Sequence, residues 1–126
     1  MVLLTFVVGI ITVKVRFASV KNGDVSAKYF SLMEGGNVPE IVTKTSRNFN
    51  NLFEVPILFY VVCCLFISLR IESEIAVIFA WLFVLSRILH SYIHLTYNYI
   101  IHRMLSFWAG LMFVLALWIT LFINQI

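Results

Sequence analysis

Two rows of polar side chains interrupt otherwise apolar stretches of this chain, and each row is spaced as one face of a helix. Glu40, Lys44, Arg47, Asn51 and Glu54 step by four, three, four and three residues, which aligns them along a single helical face. Arg87, His90, His94 and Asn98 step by three, four and four, so they too share a face. Arg103 follows them, and Lys14 stands towards the end of the first apolar stretch. Arginine binds carboxylates in a two-pronged fashion. A cationic pocket with an amide and a carboxylate therefore suits a zwitterionic, peptide-like anion. A cation aimed at sulfur would stabilise a thiolate, the nucleophilic form of a thiol.

Each of these residues also has a plainer reading. Arg87 and Glu54 can form an interhelical ion pair that only holds helices together. Lys14 and Arg16 can extend to lipid headgroups, and Arg103 can act as a topology anchor. His90 and His94 have the H-x-x-x-H spacing that holds a metal on one helix face. No cysteine joins them, and Glu54 is the sole carboxylate expected nearby, so no metal is expected. Cys63 and Cys64 are adjacent in an apolar run, pointing about 100° apart on a helix, and read as small packing residues with no disulfide between them. The joint pattern carries more weight than its members, because a charge inside a bilayer is costly unless paired or hydrated.

The elements that must position these groups follow from composition. Among 126 residues, 62% are hydrophobic and 12% charged, more apolar surface than a soluble domain of this size can bury. The chain reads as one membrane domain, 1–126. A span needs roughly 20 apolar residues, and four stretches supply them: about 1–20, 52–69, 75–97 and 105–123. The first lacks a basic n-region and a small-residue cleavage site, so it reads as a span and not a signal peptide. The fold class is thus all-α integral membrane, a four-transmembrane-helix antiparallel bundle. A polar loop, about 21–51, carries turn signals at Asn22-Gly23-Asp24 and Gly35-Gly36-Asn37. It ends in a helix begun near Asn37-Val38-Pro39-Glu40, and Pro56 is expected to kink that helix as it enters the membrane. Arg70-Ile71-Glu72-Ser73-Glu74 makes a tight hairpin between the second and third spans.

Lys14, Arg16, Lys21, Lys28, Lys44, Arg47 and Arg103 fall on one side and Arg70 on the other. That bias places the long loop in the cytoplasm and both termini on the non-cytoplasmic side. It also accounts for the basic pI without nucleic acid. Counting from the hairpin at about 1.5 Å per residue, Glu54 and His90 lie roughly 24 Å in. Arg87 comes within reach of Glu54, and Asn51 is level with His94.

At this point the chain resembles the MAPEG family, membrane-associated proteins of eicosanoid and glutathione metabolism. Arg47-Asn48-Phe49-Asn50-Asn51-Leu52-Phe53-Glu54 is similar to the family's R-A-H-x-N-x-x-E signature. Arg87-Ile88-Leu89-His90 and Arg103-Met104-Leu105-Ser106-Phe107 are similar to its R-x-x-H and later arginine. The run from Asn51 to Tyr60 looks most like the bacterial branch, and hence a bacterial inner-membrane protein. The resemblance implies a homotrimer with glutathione as co-substrate, bound between subunits near the cytoplasmic side. It implies that Asn51 and Glu54 hold the peptide, Glu54 at its α-amino group, with His90 also in contact. Arg103 would stabilise the thiolate, Lys14 would meet a carboxylate, and Arg87 would be chiefly structural. Arg47 and His94 join the binding set through their faces. The chain departs from the family at Phe49, Asn50, His94 and Met104, where a histidine, a basic residue, a tyrosine and a serine are found in members.

The leading expectation is a transferase- or peroxidase-like enzyme in which glutathione thiolate attacks a small lipophilic electrophile entering from the lipid bilayer. Its rivals are a non-catalytic lipid-binding or scaffold protein of the same fold, and a small transport or metal-handling protein built on His90 and His94.

Overall fold

The computed structural model describes residues 1–34 and 37–125; the turn signal read at Gly35-Gly36 lies outside them. Helix α1 spans Val2–Lys21, a short α2 spans Tyr29–Leu32, and α3 spans Glu40–Asn51. They are followed by α4 (Val55–Ser68), α5 (Glu74–Leu95) and α6 (Ile100–Ile123). No strand occurs among the described residues. Four helical stretches are long and apolar enough to cross a membrane: α1, α3 with α4, α5, and α6. The architecture is the expected all-α antiparallel bundle of four crossings.

Local sequence explains the boundaries. Gly23 takes a positive φ of 80°, a conformation without penalty for glycine, and turns the chain after α1. Pro39 is extended as the N-cap of α3, with Glu40 in the first turn, where a negative charge meets the positive end of the helix dipole. The Ser73 side chain caps α5 by accepting from the Ala76 amide at 3.3 Å. In the hairpin before it, Arg70 is left-handed, as is Asn98 between α5 and α6. α6 starts at Ile100, well before the apolar run, because His102 and Arg103 are helical without being hydrophobic.

The second crossing is broken. After Asn51 the chain makes tight turns through Leu52 and Phe53, and Glu54 has φ −97° and ψ −95°. Pro56 sits in the first turn of α4 and has no N–H to continue the ladder. The break sends the two halves to different neighbours: α3 packs on α1 and α5, whereas α4 packs on α6. The most extensive pairing joins α5 to α6.

Phe59, Val62, Phe83, Val114, Leu117 and Leu121 form the core at the hairpin end. There the Phe59 and Phe83 rings stack with centroids 4.5 Å apart. Large apolar side chains such as Leu3, Phe17, Trp81, Leu105 and Ile119 point outward, which suits a protein whose solvent is lipid. α1 joins α3 where Phe49 lies against Gly9: a Cβ there would be 3.1 Å from the ring. Thr12 Oγ1 shares its proton between the Val8 carbonyl of its own helix at 2.8 Å and the Thr45 carbonyl across the same seam at 3.2 Å.

Candidate functional site

The polar layer is built at the end of the bundle away from the hairpin. Arg87 is fully buried. Its stem runs past Gly110 of α6, and its guanidinium carbon lies 5.5 Å from the Phe107 ring centroid. One Nη donates to the backbone carbonyl of Asn51 at 3.2 Å. That carbonyl belongs to the last turn of α3, where outward-pointing carbonyls lack helical partners and a cation is favoured. Arg87 therefore closes the end that the break opens. The ion pair with Glu54 read as an alternative does not form: among the described residues the sole ion pair is Lys44–Glu40 at 3.0 Å. Glu54 is exposed beside the break.

His90 is buried next to the first turns of α6. Its Nδ1 lies 3.1 Å from the Arg103 carbonyl and 3.2 Å from Ser106 Oγ. Ser106 Oγ already donates to that same carbonyl at 2.9 Å. A bare Nδ1 would set its lone pair against that of the carbonyl, so Nδ1 carries the hydrogen and donates. In the neutral ring Nε2 is then the acceptor. It is buried and has no protein partner among the described residues. Arg103 is partly exposed, and its Nη1 donates to Asn98 Oδ1 at 2.7 Å. The left-handed Asn98 thus holds the Arg103 guanidinium, while the Arg103 backbone carbonyl meets His90. His94 is buried one turn further, its ring 5.7 Å from that of His90.

The structure lines Arg87, His90 and His94 along one face of α5, with the Asn51 backbone carbonyl at Arg87 and the Arg103 carbonyl at His90. It does not bring in the rest. Lys14 is exposed on α1 and lines a groove of about 920 Å³ with Phe6, Phe49, Phe53, Ile57 and Tyr60. Arg47 is exposed on α3. The buried face of α3 is Val42, Thr45, Ser46 and Asn48, so the row Glu40–Lys44–Arg47–Asn51–Glu54 is the outer, half-exposed side of that helix. The expected depths also shift. Arg87 bonds at Asn51, so Asn51 is level with Arg87 and not with His94; counting back from the hairpin assumed an unbroken second helix. Arg16, expected at the headgroups, donates to Ser46 Oγ at 3.0 Å and lies over the Phe30 ring at 5.5 Å.

Several site residues carried no signal in the spacing that was read. Ser106 supports His90, and Asn48 and Ser91 are buried without protein partners among the described residues. Asn48 follows Thr45 by three, and Ser91 follows Arg87 by four, so a search for short polar side chains at helical spacing would have found both. Among the described residues no group of three or more His, Cys, Asp or Glu side chains comes together to hold a metal ion.

Four apolar crossings around a buried layer of arginine and histidine define an integral, multi-pass membrane protein. The chain belongs to the MAPEG family, whose model matches residues 1–123. That family is associated with glutathione and with membrane transferase and peroxidase activities. No curated protein and no solved structure matches the chain.

Proposed function

We propose that the chain binds glutathione as a co-substrate and directs its thiolate at small lipophilic electrophiles or peroxides that enter from the bilayer. The observation that carries this reading is the Arg103 guanidinium, braced by Asn98 at 2.7 Å, on a residue whose backbone carbonyl holds a buried His90; the Nε2 of His90 has no protein partner among the described residues. A fixed, half-exposed cation suits a thiol that must lose its proton. The bound thiol gives up that proton to water, and the thiolate lone pair forms a bond to the electrophilic carbon as the leaving group departs with its bonding pair. On a peroxide it attacks the outer oxygen, and the O–O bond breaks to release an alkoxide that takes up a proton. A second glutathione then converts the sulfenic acid to disulfide and water.

In this reading Arg103 stabilises the thiolate and His90 Nε2 accepts a hydrogen bond from the tripeptide. Asn51 and Glu54 hold its peptide and α-amino groups, with His94 behind His90. Lys14 and Arg47 take its carboxylates. Lys14, Arg47 and Glu54 are exposed on a single chain, which supports a site completed between copies in a homotrimer. The excess of Lys and Arg in the long loop supports a cytoplasmic position for this layer. Both termini are then on the opposite side, in a bacterial inner membrane.

The test is a titration of the purified protein with glutathione while the ultraviolet absorbance of the thiolate is followed. Wild type should develop the signal and Arg103→Ala should lose it. No signal in wild type, or an equal one in Arg103→Ala, removes the reading. The groove beside Lys14, almost wholly apolar apart from that cation, favours one second reading, a non-catalytic lipid-binding protein. Glutathione binding without turnover of any hydrophobic electrophile would support it.

A further inference from the structure

We infer that α3 and α5 enclose an internal water-binding site at Asn48, Ser91 and His94, which also hydrates the buried charge of Arg87. Two hydrogen bonds tie these antiparallel helices together. Lys44 Nζ donates to the Thr96 carbonyl at 3.4 Å, and Arg87 donates to the Asn51 carbonyl at 3.2 Å. Asn48 lies between those ties on α3, and Ser91 and Tyr92 lie between them on α5. Tyr92 is 61% exposed and Ser91 only 2%, so Ser91 is the one turned inward. His94, also 2% exposed, lies one turn nearer the Thr96 end.

Asn48 Nδ2 and Oδ1, Ser91 Oγ, His94 Nδ1, and Arg87 Nε and Nη1 are all buried without a protein hydrogen-bond partner among the described residues. Six such atoms on four side chains form a polar seam between α3 and α5, those of α5 running over about 10 Å of helix from Arg87 to His94. Buried polar groups left unpaired are costly, and native interiors satisfy them.

The donor set selects the ligand. A halide would accept from Arg87, Asn48 and Ser91 but leave Asn48 Oδ1 without a donor. A cation would meet the acceptors and oppose Arg87. Water both donates and accepts, and internal waters typically make about three hydrogen bonds to such groups. Hydration also answers the charge of Arg87, which is 0% exposed and has no carboxylate within ion-pair distance among the described residues. The site does not depend on glutathione.

Nuclear magnetic resonance of ¹⁵N-histidine-labelled protein in micelles tests this through magnetisation transfer from water to the imidazole protons, assigned with His94→Gln. Wild type should show transfer at His94 despite its burial. The double variant Asn48→Leu with Ser91→Ala, its fold checked by helical circular dichroism, should lose it while exposed His102 keeps its own. Absence of transfer at His94 in folded wild type overturns the proposal, as does undiminished transfer in a folded double variant. If the double variant does not fold, Ser91→Ala alone is expected to reduce the transfer, and no reduction counts against the site.

Discussion

Gly110 lies directly beneath Arg87. A Cβ at Gly110 would come within 2.9 Å of Ser86 Oγ and 3.4 Å of Arg87 Cδ. The α5–α6 pair is therefore closed down to hydrogen size where the buried arginine passes, and Ser86 is held there by its own bond to the Phe83 carbonyl at 2.7 Å.

Gly110→Ala should destabilise the bundle, by about 1–3 kcal/mol as overpacking does, and lower the thermal midpoint in detergent by several degrees. Removing the nearest obstacle should restore part of the loss, so Gly110→Ala with Ser86→Ala is expected to melt above Gly110→Ala alone. Equal midpoints for wild type and Gly110→Ala would show that the contact is not tight.

Asn98→Gly isolates the brace on Arg103. Glycine keeps the left-handed backbone at this position, φ 50°, while removing the acceptor. A hydrogen bond to a charged group is worth about 1.5–3 kcal/mol. The thiolate signal of Asn98→Gly should accordingly fall by about tenfold or more in apparent affinity, with Arg103→Ala lower still. An Asn98→Gly titration that overlays wild type would mean the brace does not position the cation.

Along the α1–α3 seam, Thr12→Val and Gly9→Leu separate hydrogen bonding from packing. Side-chain hydrogen bonds between membrane helices average about 0.6 kcal/mol, so loss of the Thr12–Thr45 bond should move the thermal midpoint little. Gly9→Leu must displace the Phe49 ring and should cost about 1–3 kcal/mol. The order of the two effects is the check.

Sidedness can be read by cysteine labelling in a background with Cys63 and Cys64 replaced by alanine. With a membrane-impermeant maleimide, Ser31→Cys in the long loop should react only from the cytoplasmic face. Glu72→Cys in the hairpin should react only from the other. Reaction of both from one face would overturn the four-crossing topology, and the reverse assignment would overturn the sidedness.

The bundle was legible because apolar length and hairpin shortness are local properties of the sequence. The face Arg87–His90–His94 was legible for the same reason: polar residues at helical spacing inside an apolar run must turn inward. The outer row on α3 was not, since Val42, Thr45 and Asn48 make an equally regular stripe and only the neighbour decides which is covered. The register between α3 and α5 was also out of reach, because it depends on three non-helical residues whose angles no spacing rule supplies. The tie from Arg87 to a backbone carbonyl was invisible for a related reason, as residue types say nothing about main-chain acceptors.

The interruption at Leu52–Glu54 also bears on how the protein meets membranes of different thickness. A continuous second helix would answer a thinner bilayer by tilting as a whole and dragging both leaflets' worth of packing with it. With α4 seated on α6 and α3 on α1 and α5, a change of tilt on one side is absorbed at the joint. The unbroken α5 has no such joint, and Phe83, Arg87 and His90 move together on it.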